Sequence, residues 1–124
     1  MAECSCCTDK PKTLIYSCSG AANTGYLADR VARQLAGEGV GGMTCMAAMG
    51  ADLSGFVESA RSASRNLVID GCPVSCGLKI FEKLGLPYDH QLMTDHRVEK
   101  SKTPITEELI QQVKEALISG FFCD

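Results

Sequence analysis

NLVIDGCPVSCGLKIFEKLG, residues 66–85, contains one full step of a fold. NLVID is a compact apolar run of strand length, closed by Asp-Gly. Beyond Pro73 the apolar residues Leu78, Phe81 and Leu84 recur three apart, and Gly85 follows. That spacing predicts a helix with proline in its first turn, where a missing N–H costs nothing, and a glycine stop. A strand running straight into a helix, repeated along a chain, builds a mostly parallel sheet with helices on both faces.

The same alternation extends in both directions. TLIYSC (13–18) is a β-rich run ending in Ser-Gly. After Asn23-Thr24-Gly25, the residues Leu27, Val31 and Leu35 are four apart, with Ala28 and Ala32 beside them. They form one helix face, with Asp29, Arg30, Arg33 and Gln34 mostly outside. Asn23 or Thr24 is the expected cap, and GEGVGG (37–42) the stop. The periodicity of MTCMAAM (43–49) does not separate a buried strand from a helix fragment. Its place in the alternation assigns it to a strand. Residues 52–65 read as a short helix beginning at Asp52 or Ser54, and HQLMTD (90–95) as a fourth strand. Residues 103–120 form the clearest helix, capped by Thr103 or Thr106, with acids at its start. Leu109, Ile110, Val113, Leu117 and Ile118 are its buried stripe. The expectation is one α/β domain over 13–124: a three-layer, Rossmann-like arrangement with about four strands. Residues 1–12 read as a flexible, cysteine-rich tail.

Length and charge narrow the function. A chain of 124 residues buries roughly two-thirds of its unfolded surface and needs no staples to fold. The net charge is −3 and the Lys and Arg residues are scattered, so no footprint for nucleic acid is present. No apolar run approaches the ~20 residues that span a bilayer. The start, MAECSCCTDKPK, has no apolar signal core, which points to a cytoplasmic protein with no membrane partner. Eight cysteines in such a chain favour metal binding or thiol chemistry over a disulfide framework.

Four of those sulfurs converge. Right-handed crossovers bring the carboxyl ends of all parallel strands to one edge, where ligands bind. Cys18 ends the first strand, Cys45 lies in or just after the second, and Cys72 ends the third. Cys76 follows one helical turn later. With Pro73 opening the helix, Cys72 sits near its N-cap and Cys76 in its first turn, a setting that favours thiolate. N–H groups of the loop CSGAANTG (18–25) add to that field. Four thiolates suit tetrahedral Zn²⁺.

The segments YSCSGAANTG, MTC, GADLSGFVESAR and DGCPVSC resemble the DGC-domain family, named for its central Asp-Gly-Cys. The resemblance runs from Thr13 to the last helix. It implies zinc held by four cysteines, which match Cys18, Cys45, Cys72 and Cys76.

Other readings stay open. Cys72 and Cys76, spaced C-x₃-C, suit a thiol–disulfide redox protein or thiol enzyme. Four thiolates also hold iron–sulfur clusters or another soft metal. A closed four-thiolate shell leaves no position for water, so a structural, sensing or carrier role is expected rather than hydrolysis. Residues 19–25 carry neither the arginine of a thiol phosphatase nor the lysine of a P-loop, leaving at most a small-anion site at backbone N–H groups. Asp70 reads as a turn residue, His90 and His96 as solvated loop histidines, and the methionines as gap fillers. Thr94 and Asp95 fall near the same edge. Cys4, Cys6, Cys7 and Cys123 would form a second set if the termini meet.

Overall fold

The computed structural model describes residues 12–122. The first strand, β1 (Thr13–Ser17), is followed by α1 (Asn23–Gly37), then by β2 (Gly42–Met43) and the short α2 (Met46–Gly50). Next come α3 (Ser54–Ser62), β3 (Arg65–Asp70), α4 (Cys76–Leu84) and β4 (Asp89–Leu92). A 3₁₀ turn (Met93–His96) and α5 (Glu107–Phe122) complete the order. All strand pairs are parallel and the order is β2-β1-β3-β4.

Alternation along the central strands divides the core. Ile15, Leu67 and Ile69 face α1 and α5, packing on Leu27, Val31, Leu35, Ile110, Val113 and Leu117. Leu14, Tyr16 and Val68 face the other way, onto Met46 and Met49 of α2, Val57 and Ala60 of α3, and Phe81 of α4. Both faces of β1 and β3 are thus covered, which is why these strands read as nearly unbroken apolar runs. Each fully buried Leu, Ile or Val contributes about 1.5–3 kcal/mol of transfer free energy.

Polar groups inside this core are paired. Tyr16 donates its hydroxyl to Asn66 Oδ1 at 2.7 Å. The Asn66 amide donates to the carbonyls of Ala60 (2.9 Å) and Pro87 (3.1 Å). One buried asparagine therefore ties β1, the end of α3 and the α4–β4 connection to β3. Burial pushes the Tyr16 phenol far up, so it remains a neutral donor. Among α1 and α5, Arg30 pairs with Glu107 at 2.9 Å and Lys114 with Glu38.

Several sequence expectations are corrected. Residues 43–49 are mainly helix, because β2 contributes only two residues to the ladder, Gly42 and Met43. Helix α3 begins at Ser54, one of the two expected starts, and ends at Ser62, short of residue 65. Helix α4 begins at Cys76, after a turn closed by Ser75 N–H to Cys72 C=O at 3.0 Å. Pro73 therefore lies in that turn, outside the helix. The fourth strand stops at Leu92, and Thr94 and Asp95 fall in the 3₁₀ turn. Thr106 rather than Thr103 caps α5, accepting from Leu109 N–H at 3.1 Å. The tail 1–12 (save Lys12) and Cys123 lie outside the described residues, so the second cysteine set does too.

Candidate functional site

The switch between β1 and β3 makes the site. The chain leaves β1 for α1 on one face and leaves β3 for α4 on the opposite face. The loops diverge there and open a crevice at the carboxyl edge. Backbone contact sets its depth. A Cβ on Gly71 would lie 2.6 Å from the Thr24 carbonyl carbon, and one on Gly25 would lie 2.5 Å from the Gly20 oxygen. Only glycine lets the 18–25 loop curl this tightly and β3's exit pass against it.

Each cysteine comes from a different position on this edge. Cys18 is one residue past β1, and its N–H still donates to Ile69 C=O at 3.1 Å. Its sulfur accepts the Gly71 N–H at 3.3 Å. Burial pushes the Cys18 thiol up, against the lowering effect of N–H donors at Gly20 and Gly71. Cys45 is the N-cap of α2, and its sulfur accepts Ala48 N–H at 3.4 Å. Cys72 opens the 72–75 turn, with its sulfur 3.5 Å from Lys100 Nζ. Cys76 is the first residue of α4 and is exposed.

Two adjoining clefts use these sulfurs. One, of about 390 Å³, takes Cys18, Cys72 and Cys76 into its wall. The other, of about 890 Å³, takes Cys18, Cys45 and Cys76. Cys18 and Cys76 belong to both, so all four expected ligands border one continuous region. All four are free thiols. In chemistry the set fits a soft metal ion. In spacing they stand apart: among the described residues no three of His, Cys, Asp and Glu lie close enough to share an ion.

Three partners of the site were missed or misjudged in the sequence. Asp70 does more than hold a bend. Its carboxylate, 1% exposed, accepts the N–H groups of Gly77 (2.9 Å) and Leu78 (3.0 Å). It therefore caps α4 from the end of β3. His90 is no solvated loop histidine: Nε2 lies 2.7 Å from Asp70 Oδ2. Asn23 does not cap α1, where Ala22 is the N-cap without a side-chain bond. Its amide instead donates to the carbonyls of Glu99 (3.1 Å) and Thr103 (2.8 Å), and its oxygen accepts Ser101 N–H at 2.6 Å. That clamp holds Lys100 over Cys72. Asp95 and His96 line a separate groove against α5.

The DGC-domain family model matches residues 14–117, from within β1 to within α5. This chain belongs to the DGC-domain family. The match takes in all four cysteines, Asp70 and Lys100, so the whole crevice lies inside the DGC domain. The chain is also 40% identical over 68 residues to the anaerobic and virulence modulator AnvM of Pseudomonas aeruginosa. That stretch is 55% of this chain and 52% of the relative, so it spans about half of the relative's length. No solved structure matches the chain. No helix among the described residues of this DGC domain is long and apolar enough to cross a membrane.

Proposed function

We propose that this DGC-domain protein binds one soft metal ion, Zn²⁺ foremost, on the thiolates of Cys18, Cys45, Cys72 and Cys76, in a sensing or carrier role. The observation that carries the reading is the shared border: four thiols from the three stretches that follow β1, β2 and β3 line two clefts joined through Cys18 and Cys76. Backbone N–H groups already donate to two of the sulfurs, those of Cys18 and Cys45. Such donors offset the net −2 charge of a four-thiolate zinc centre.

The separation of the sulfurs favours exchange over a permanent structural ion. Binding draws the 72–75 turn, the start of α4 and the start of α2 toward Cys18, so metal loading is coupled to movement of three segments. A regulatory role accords with the relative's name, which describes that protein as a modulator. A reducing cytoplasm would keep the four thiols free for this use.

A second reading is thiol–disulfide exchange between Cys72 and Cys76. The 72–75 turn and the Lys100 ammonium beside the Cys72 sulfur support it. Four thiolates equally suit an iron–sulfur cluster, which would colour the protein brown. Anaerobic purification with elemental analysis and thiol counting separates the three. One zinc per chain, lost in Cys18→Ser and Cys76→Ser, supports the proposal. A metal-free protein with a reversible Cys72–Cys76 disulfide overturns it.

A further inference from the structure

The crevice between the 18–25 loop and the 70–76 turn has features that the cysteines do not use. Thr24 is 1% exposed and Ser75 is 7% exposed, and both line the 390 Å³ cleft. Neither hydroxyl makes a hydrogen bond among the described residues. A buried hydroxyl without a partner is costly and calls for one. Ser75 is also held at φ +56°, a left-handed conformation that serine adopts at a cost.

These hydroxyls do not stand alone. The cleft lies at the start of α1, a 15-residue helix whose first intrahelical bond is Tyr26 N–H to Ala22 C=O. The N–H groups of Asn23, Thr24 and Gly25 precede that bond and have no intrahelical acceptor. Gly20, Gly25 and Gly71 leave the floor as bare backbone. Lys100, clamped by Asn23, supplies a positive charge at the rim. The one acid in the lining, Asp70, spends its oxygens on Gly77, Leu78 and His90.

We propose that this cleft is a phosphoryl-oxyanion site, in which the first turn of α1, the Thr24 and Ser75 hydroxyls and Lys100 receive the oxygens. Helix N-terminal N–H groups, hydroxyls and an ammonium are the donors such an oxyanion requires, and no arginine or P-loop lysine is needed. The volume exceeds that of a bare phosphate, and Ala21, Ala22 and Val74 wall the remainder. Free phosphate and a small phosphomonoester share this chemistry.

The test is a ¹⁵N–¹H correlation titration of the full chain with inorganic phosphate and, separately, glycerol 3-phosphate. Ionic strength is held constant with chloride. Saturable shifts at Gly20, Thr24, Gly25 and Gly71 are expected, with chloride alone inert. Lys100→Met, at an exposed position, is expected to keep the fold and weaken binding about tenfold, the scale of one charge-assisted bond. Thr24→Val is expected to weaken it also. Tighter binding of the ester assigns the site to a phosphorylated metabolite; equal binding assigns it to the free ion. Absence of saturable shifts, or shifts that Lys100→Met leaves unchanged, overturns the proposal. Zinc content of Lys100→Met, which removes no thiol, reports on the metal reading separately.

Discussion

Cys18 borders both clefts, and its protonation has a readable sign. Its thiol is shifted upward by burial, so at pH 7 it carries its proton and is a poor nucleophile. Iodoacetamide should modify it more slowly than a solvated thiol of pKa about 8.5, with the rate rising as pH increases beyond that value. Peptide mapping after timed alkylation of metal-free protein measures this; rapid labelling of Cys18 at pH 7 would contradict it. The buried pair Tyr16–Asn66 gives a second residue-level expectation. Tyr16→Phe leaves Asn66 Oδ1 without its 2.7 Å donor. Urea unfolding should show a loss of about 1–3 kcal/mol, the cost of a stranded buried acceptor. Little of this was legible beforehand. Asp70 reads as a bend holder in the sequence because its partners, Gly77 and His90, meet it only after β3, α4 and β4 are assembled.

At the scale of elements, α4 is placed by contacts that leave no room for a side chain at its first turn. A Cβ on Gly77 would lie 2.6 Å from Met46 Cε and 2.8 Å from Val68 Cγ1. Gly77→Ala should therefore push α4 off β3 and cost about 1–3 kcal/mol, despite alanine's better helix propensity. Chemical denaturation decides it, and a neutral or stabilised variant would be inconsistent with this packing. The clamp from α1 to the 99–103 segment gives another test. Asn23→Ala removes three hydrogen bonds to Glu99, Ser101 and Thr103. Faster amide exchange at Ser101, with α1 protection unchanged, is the expected pattern. Long periodic elements such as α1 and α5 were readable because an apolar stripe encodes them directly. The start of α4 was not, since Pro73 suits a first helical turn and a 72–75 turn equally well. Likewise, residues 42–50 pack a two-residue strand and a five-residue helix into one short stretch, too short for either period to show.

Across the whole molecule, parallel pairing in the order β2-β1-β3-β4 accounts for where chemistry collects. Strand–helix alternation was enough to foresee this sheet and to bring Cys18, Cys45, Cys72 and Cys76 to its carboxyl edge. It said nothing of Lys100, which reaches the crevice from a long segment after β4, or of the spaces between the sulfurs. Those depend on how the loops pack, as the glycine contacts at Gly25 and Gly71 illustrate. If metal binding closes these loops, its effect should extend beyond the ligands. Zinc should raise the thermal midpoint of the full chain and slow amide exchange in the 72–75 turn and the start of α2 together. Since each thiol must lose its proton, zinc affinity should fall as pH is lowered, with protons released on binding.

The most direct test is zinc stoichiometry and affinity for the anaerobically purified full chain and its four single Cys→Ser variants at positions 18, 45, 72 and 76. One zinc per wild-type chain, weakened by every one of the four substitutions, is the predicted result. Unchanged zinc binding in any two of the variants, or none in the wild type, would contradict a shared four-thiolate site.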